Sequence, residues 1–145
     1  VLGCELPAEA VRLRGRVGWL GDQPLLYRDL TARENLRFAA RLNGLDAESA
    51  EARIATLLGA VGLASRADDR VREYSAGMVQ RAAVCRAVLH EPELLLLDEP
   101  LSHLDPEARG LVEPLIGAAP GRTRVLVSHE PGAEDAGERV VRLPS

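Results

Sequence analysis

The sequence predicts an α/β fold built on a parallel sheet, and three observations carry that prediction. The run Leu94-Leu95-Leu96-Leu97 is bracketed by Pro92 and Pro100 and stops at Asp98-Glu99. It is too short and too firmly punctuated to be a helix. Two more short apolar segments, residues 16–20 and 124–127, are separated from it by stretches of helical periodicity. Strands alternating with helices in this way build parallel sheets. An unbroken leucine run further implies a strand buried on both faces.

The elements follow in order. Arg16-Val17-Gly18-Trp19-Leu20 reads as a strand, and Gly21-Asp22 with Gln23-Pro24 supplies turn chemistry after it. Thr31-Ala32-Arg33-Glu34 has the form of a capping box, with Thr31 as N-cap and Glu34 reaching back to it. The helix it opens turns Leu36, Ala39, Ala40 and Asn43 to one face, and Asn43-Gly44 ends it. Asp46 caps a second helix, where Ile54, Leu57, Leu58 and Val61 recur at helical spacing up to a stop at Gly62. A charged loop over 65–73 leads to Tyr74-Ser75-Ala76-Gly77-Met78-Val79-Gln80-Arg81. A helix starts there, carries Val79, Ala82, Ala83 and Ala87, and stops before Pro92. Asp105-Pro106 is an N-cap followed by proline at the first helical position. Pro114 should kink or shorten that helix, because an uninterrupted course costs ~3 kcal/mol. Residues 124–127 form the next strand, closed by Ser128-His129, and Val140-Val141-Arg142-Leu143 reads as a short edge strand.

Composition excludes several classes. A chain of 145 residues fits one domain or part of a larger one, and 46% apolar with 28% charged residues is ordinary for a globular protein. The net charge of −4 gives no reason to expect a nucleic-acid partner, and four aromatics (Trp19, Tyr27, Phe38, Tyr74) offer no stacking surface. No apolar run is long enough to cross a bilayer as a helix. Cys4 and Cys85 lack metal or redox spacing and read as reduced thiols. The chain opens on Val1 rather than Met, which reads as a cut end.

The chemistry concentrates at Asp98-Glu99. Carboxylates at the carboxyl end of a parallel strand sit where ligands bind in open α/β sheets. The first can hold Mg²⁺, largely through water, and the second can orient or deprotonate an attacking water. An isolated Asp-Glu pair is as readily two solvated acids. Ser75 alone would be a helix N-cap, and His129 alone a surface histidine.

Their neighbours change that balance. Leu94 to Pro100 resembles the Walker B segment of ATP-binding cassette (ABC) ATPases, and Tyr74 to Arg81 resembles the signature motif of that family. Ser102-His103-Leu104-Asp105 is similar to the D-loop, and Val127-Ser128-His129-Glu130 to the switch-histidine loop. Tyr27 and the segment from Leu30-Thr31 to Glu34-Asn35-Leu36 are similar to the sequence after the family's Q-loop. Order and spacing agree along essentially the whole chain.

The resemblance implies a P-loop NTPase core with an inserted helical subdomain, working with ATP and Mg²⁺. Asp98 would hold the metal and Glu99 would activate water, with His129 at the γ-phosphate. Ser75, Ala76 and Gly77, at a helix N-terminus suited to anions, would meet the nucleotide of a second ATPase protomer. Asp105 would reach across that dimer. Gln23 is assigned the Q-loop contact to Mg²⁺ and water, with Asp22, at the usual glutamine position, as the alternative. The implied organisation is a core remnant and Q-loop over 1–30, a helical subdomain over 31–90 and a core segment over 91–145. Transmembrane permease subunits are the implied partners, at the cytoplasmic face of the inner membrane.

Within the family, Gly21-Asp22-Gln23-Pro24 looks most like exporter ATPases, with haem export for cytochrome c maturation the nearest single match. One departure stands out. The phosphate loop, Gly-x-x-x-x-Gly-Lys-Ser/Thr, is absent from these 145 residues. The expectation is therefore an N-terminally truncated ABC ATPase, inactive alone. A non-transport ABC protein acting on ribosomes, or a non-hydrolytic module that lends its signature to an intact partner, are the rival readings.

Overall fold

The computed structural model describes residues 1–129. Its sheet has three parallel strands, β1 (Val17–Leu20), β2 (Leu94–Asp98) and β3 (Thr123–Val127), in the order β1-β2-β3. Val17 pairs with Leu94 and Leu20 with Leu97, and on the other side Asp98 pairs with Val127. Among the described residues four α-helices accompany it: α1 (Ala32–Leu42), α2 (Ala47–Ala60), α3 (Ala76–Val88) and α4 (Pro106–Ile116). The strand expected at Val140–Leu143 lies outside the described residues.

Local chemistry sets the helix starts. Thr31 and Glu34 form the reciprocal capping box, and Asp46, Ser75 and Asp105 each accept the backbone N–H three residues on. Gly44 and Gly62 follow the ends of α1 and α2 in the left-handed conformation, at φ 78° and 72°. Pro114 is accommodated near the end of α4, which closes two residues later at Ile116. The loop after α2 folds into two short 3₁₀ turns, Ala64–Arg66 and Val71–Glu73. It is tied back to the start of α1 by an Arg33–Asp68 ion pair at 2.9 Å and by the Val71 N–H donating to the Leu30 carbonyl.

The core lies between α3 and one face of the sheet. Leu20, Leu95 and Leu97 are buried there with Ala83, Val84, Ala87 and Val88. On the other side, α1 and α2 pack on α3 through Leu36, Ala40, Ile54, Leu57 and Leu58. Gly18 allows this close approach: a Cβ there would lie 2.3 Å from the Ala87 carbonyl oxygen of α3. The carbonyls of β1 are also engaged from α3 and its C-terminal end, with Arg86 donating to Trp19 O at 2.7 Å and His90 Nε2 to Val17 O at 2.9 Å.

The leucine run departs from its sequence reading. Leu95 and Leu97 are buried, but Leu94 and Leu96 are half-buried, in strict alternation. The second sheet face carries Trp19, Val125 and Val127, which are 48%, 50% and 45% exposed. Among the described residues no helix covers it, so the run is buried on one face rather than two.

Both cysteines are buried and unpaired. Burial pushes the Cys85 thiol up to about 12, so it stays protonated.

Candidate functional site

β2 delivers its two carboxylates to a cleft of ≈ 400 Å³ at its carboxyl end. Gly21, Asp22 and Pro24 line one part, Ala76, Val79 and Gln80 of α3 another, and Asp98, Glu99, Ser102 and His103 complete it. Three segments far apart in sequence thus converge at the strand terminus, where an open α/β sheet places its ligand.

Glu99 is fixed from several directions. Its backbone N–H continues the ladder to Val127 O at 2.9 Å, yet its φ is +47°, a left-handed conformation that strains a non-glycine residue. Glu99 Oε1 accepts the His129 N–H at 2.7 Å and lies 3.8 Å from His129 Nε2. The His129 side chain is 90% exposed. Asp98, half-buried at the end of β2, presents hard oxygen donors to the same cleft.

The start of α3 forms the facing wall. Ser75 Oγ caps the helix by accepting Met78 N–H at 3.2 Å, and both Ser75 and Ala76 are exposed. Gly77 has a role that its sequence position did not reveal. A Cβ there would lie 3.0 Å from the carbonyl oxygen of His103, so the missing side chain lets this chain's own Ser102–Asp105 loop pack on the helix. Asp105 Oδ1 accepts Ala108 N–H at 2.8 Å and caps α4.

The turn after β1 is where sequence reading left two choices. Asp22 and Gln23 are both exposed, and Asp22 lines the cleft. Three further residues escaped the sequence reading as site-shaping groups. Asn35, 3% exposed, accepts Tyr27 N–H at 2.7 Å and donates to the carbonyls of Tyr27 and Thr31, both at 2.9 Å. It pins the loop leaving the cleft to α1. Arg81 reaches from α3 to Val61 O at 2.8 Å. Gln80 donates to the carbonyls of Glu99 and Pro100. An asparagine inside an apolar helical stripe was the one available signal; Gln80 and Arg81 gave none beyond following the signature.

A Mg²⁺ ion fits this donor set in a limited way. Among the described residues no group of three or more His, Cys, Asp or Glu could cage a metal. One strand-end carboxylate beside an open cleft matches an ion that keeps most of its water.

A strand-end carboxylate pair lies across a cleft from the start of a helix on a parallel sheet, and the fold is of the α/β P-loop NTPase kind. Comparison with solved structures agrees. An ATP-binding subunit of an ABC transporter superposes with a TM-score of 0.72 at 32% identity, over 79% of this chain and 48% of that one. A dimeric ATP-binding cassette in a post-hydrolysis state with ADP and Pi superposes at 0.74 over 88% and 58%, with 24% identity, and supports the fold alone. The ABC transporter family profile matches residues 4–102, and the chain belongs to that family.

Several curated relatives are named as ABC-type ATP-binding proteins, some of them for export. The Nod factor export ATP-binding protein I of Burkholderia pseudomallei (strain 1710b) is 40% identical over 129 residues, which are 88% of this chain and 42% of that protein. The linearmycin resistance ATP-binding protein LnrL of Bacillus subtilis is 37% identical over 107 residues, 74% of this chain and 34% of that protein. The chain thus spans less than half the length of either.

Proposed function

We propose that this chain is the water-activating part of the ATP-binding and ATP-hydrolysing subunit of an ABC exporter. One observation carries the reading: the Glu99 carboxylate is turned into the cleft and held by the His129 N–H, opposite the N-terminus of α3. A carboxylate so placed can orient a water and accept its proton. Asp98 supplies a hard oxygen to Mg²⁺ through its water shell, and the bound ion would neutralise charge on the phosphates. The exposed end of α3, with Ser75, Ala76 and Gly77, offers backbone N–H groups to a phosphate from a second ATPase protomer, and exposed Asp105 is assigned to reach across that dimer. Gln23, or alternatively Asp22 at the cleft, completes the metal and water contacts.

Phosphoryl transfer depends on positioning and charge stabilisation, and much of that comes from a phosphate loop and its lysine. The chain contains neither that motif nor any lysine. We therefore read it as inactive on its own and as acting within a complete subunit. The segment from 31 to 90, with exposed Tyr27, Phe38 and Leu42 on or beside α1, is the surface we assign to transmembrane permease subunits at the cytoplasmic membrane face. Export as the transport direction is supported by the names of the relatives. Haem as the cargo is supported by the Gly21–Pro24 loop and the Leu30–Leu36 segment, and the relatives named above are called after Nod factor and linearmycin.

The test has two arms. Glu99→Gln in the complete subunit should abolish ATP turnover and trap an ATP-bound dimer detectable by size-exclusion chromatography, while the 145-residue chain alone should show no turnover. Unchanged turnover in the Glu99→Gln subunit would refute the role of Glu99.

A further inference from the structure

Gln80 lies one turn into α3, and its carboxamide points out of the helix at the turn that follows β2. Its Nε2 is 2.9 Å from the Pro100 carbonyl oxygen and 3.3 Å from that of Glu99. Two acceptors at one end of the amide settle its orientation, because the carboxamide oxygen could satisfy neither. The Glu99 carbonyl also accepts the Ser102 N–H at 3.1 Å, so the Gln80 bond adds to an existing turn. The Glu99 carbonyl that takes these bonds belongs to the residue with the left-handed backbone, at φ +47°. Such a conformation persists in a non-glycine residue only where its surroundings hold it.

A second contact runs in parallel. Gly77, one turn earlier on α3, abuts the His103 carbonyl, so the helix touches the loop from Glu99 to Asp105 at both of its ends. Gln80 is half-buried and lines the cleft beside Asp98 and Glu99.

We propose that Gln80 is a positioning residue for Glu99: its carboxamide clamps the Glu99–Pro100 turn to α3, and thereby fixes the direction of the Glu99 carboxylate relative to the phosphate-facing end of the same helix. Any displacement of α3 is transmitted to the carboxylate through two hydrogen bonds and one backbone contact. A partner nucleotide that draws the helix N-terminus into register therefore also aims the carboxylate. The inference rests on the reading of Glu99 as the water-orienting group.

The experiment is steady-state ATP turnover of the complete subunit carrying Gln80→Met, which keeps length and volume but removes the donor. The expected result is a fall in kcat of roughly 10- to 100-fold, the scale of a misplaced catalytic group, with KM for ATP within about twofold of the parent protein. A purely structural role would lower the melting temperature and the active fraction together. Thermal unfolding and active-site titration are therefore measured alongside, and kcat is expressed per active site. Gln80→Asn, one methylene short of the carbonyls, gives an independent second reading should the methionine variant fail to fold. A kcat per active site within twofold of the parent in the folded variant overturns the proposal, as does a rise in KM at constant kcat. Glu99→Gln is run in parallel. Lost turnover there with retained turnover in Gln80→Met refutes the clamp alone, and retained turnover in Glu99→Gln refutes both readings.

Discussion

Replacing Gly18 with alanine adds one methyl group at the most crowded of the described glycines, between β1 and α3. The new Cβ would stand 2.3 Å from the Ala87 carbonyl oxygen and 2.8 Å from both Leu95 Cδ1 and Pro92 Cγ. The Leu95 methyl can rotate away, but the Ala87 carbonyl belongs to helix backbone. Real Cβ contacts essentially never fall below 3.0 Å, so strand and helix must separate by at least about 0.7 Å. That movement loosens the packing of Leu20, Leu95 and Leu97 on Val84 and Val88, all of them buried. Overpacking costs typically ~1–3 kcal/mol, and a clash with backbone that cannot turn aside belongs at the top of that range, ~3 kcal/mol. Equilibrium urea unfolding reads this directly. With m of ~2 kcal/mol/M, the midpoint should fall by roughly 1.5 M at unchanged m. Gly110→Ala is the matched control. It lies inside α4 with nothing within 4 Å of a new Cβ, and should stabilise by ~0.5–1 kcal/mol through helix propensity. A loss under about 1 kcal/mol at Gly18 would show that β1 and α3 are not in the contact described.

Two further outcomes are expected. Asn35→Ala removes three hydrogen bonds at a buried site and leaves the Tyr27 N–H and carbonyl without that partner, at a cost of ~2–3 kcal/mol. Urea unfolding with amide exchange at Tyr27 tests it, and slow exchange retained at Tyr27 would contradict the pinning role. Burial, with the Arg86 cation nearby, holds the His90 imidazole below its ordinary value of 6.5, while its hydrogen bond to the Val17 carbonyl opposes the shift. The unfolded chain therefore takes up this proton first on acidification. The His90 contribution is complete above pH ~6.5 and is lost as pH falls toward the lowered folded value. In His90→Gln, the decline of the urea midpoint from pH 7.5 to 5.5 should be shallower than in the parent chain; an identical slope would place the titration elsewhere.

What could be read from the sequence was mostly local. Thr31, Asp46, Ser75 and Asp105 were each recognisable as N-caps because a cap is decided by residues within one turn. The strand-end pair Asp98-Glu99 was legible for the same reason: composition and punctuation sit side by side. The leucine strand was only half legible. Its apolar run says that both faces can be buried, but what covers each face is a property of segments elsewhere in the chain. The contacts of Gln80 with Glu99, and of Gly77 with His103, join positions 19 and 26 residues apart through a tertiary approach that no periodicity encodes. The Asp22 and Gln23 alternative had the same origin, since the direction each side chain takes depends on how the turn docks beneath α3.

The exposed face of the sheet carries the only tryptophan in the chain. Trp19 is 48% exposed, and its ring borders Gly21, which lines the cleft: a Cβ at that glycine would lie 2.8 Å from the indole. The molecule therefore contains an intrinsic fluorophore at the seam between a partly exposed β surface and the mouth of the site. Its emission wavelength follows the wetness of that seam. Docking of protein against the strands, or reordering of the Gly21–Pro24 turn, becomes an optical signal without any label.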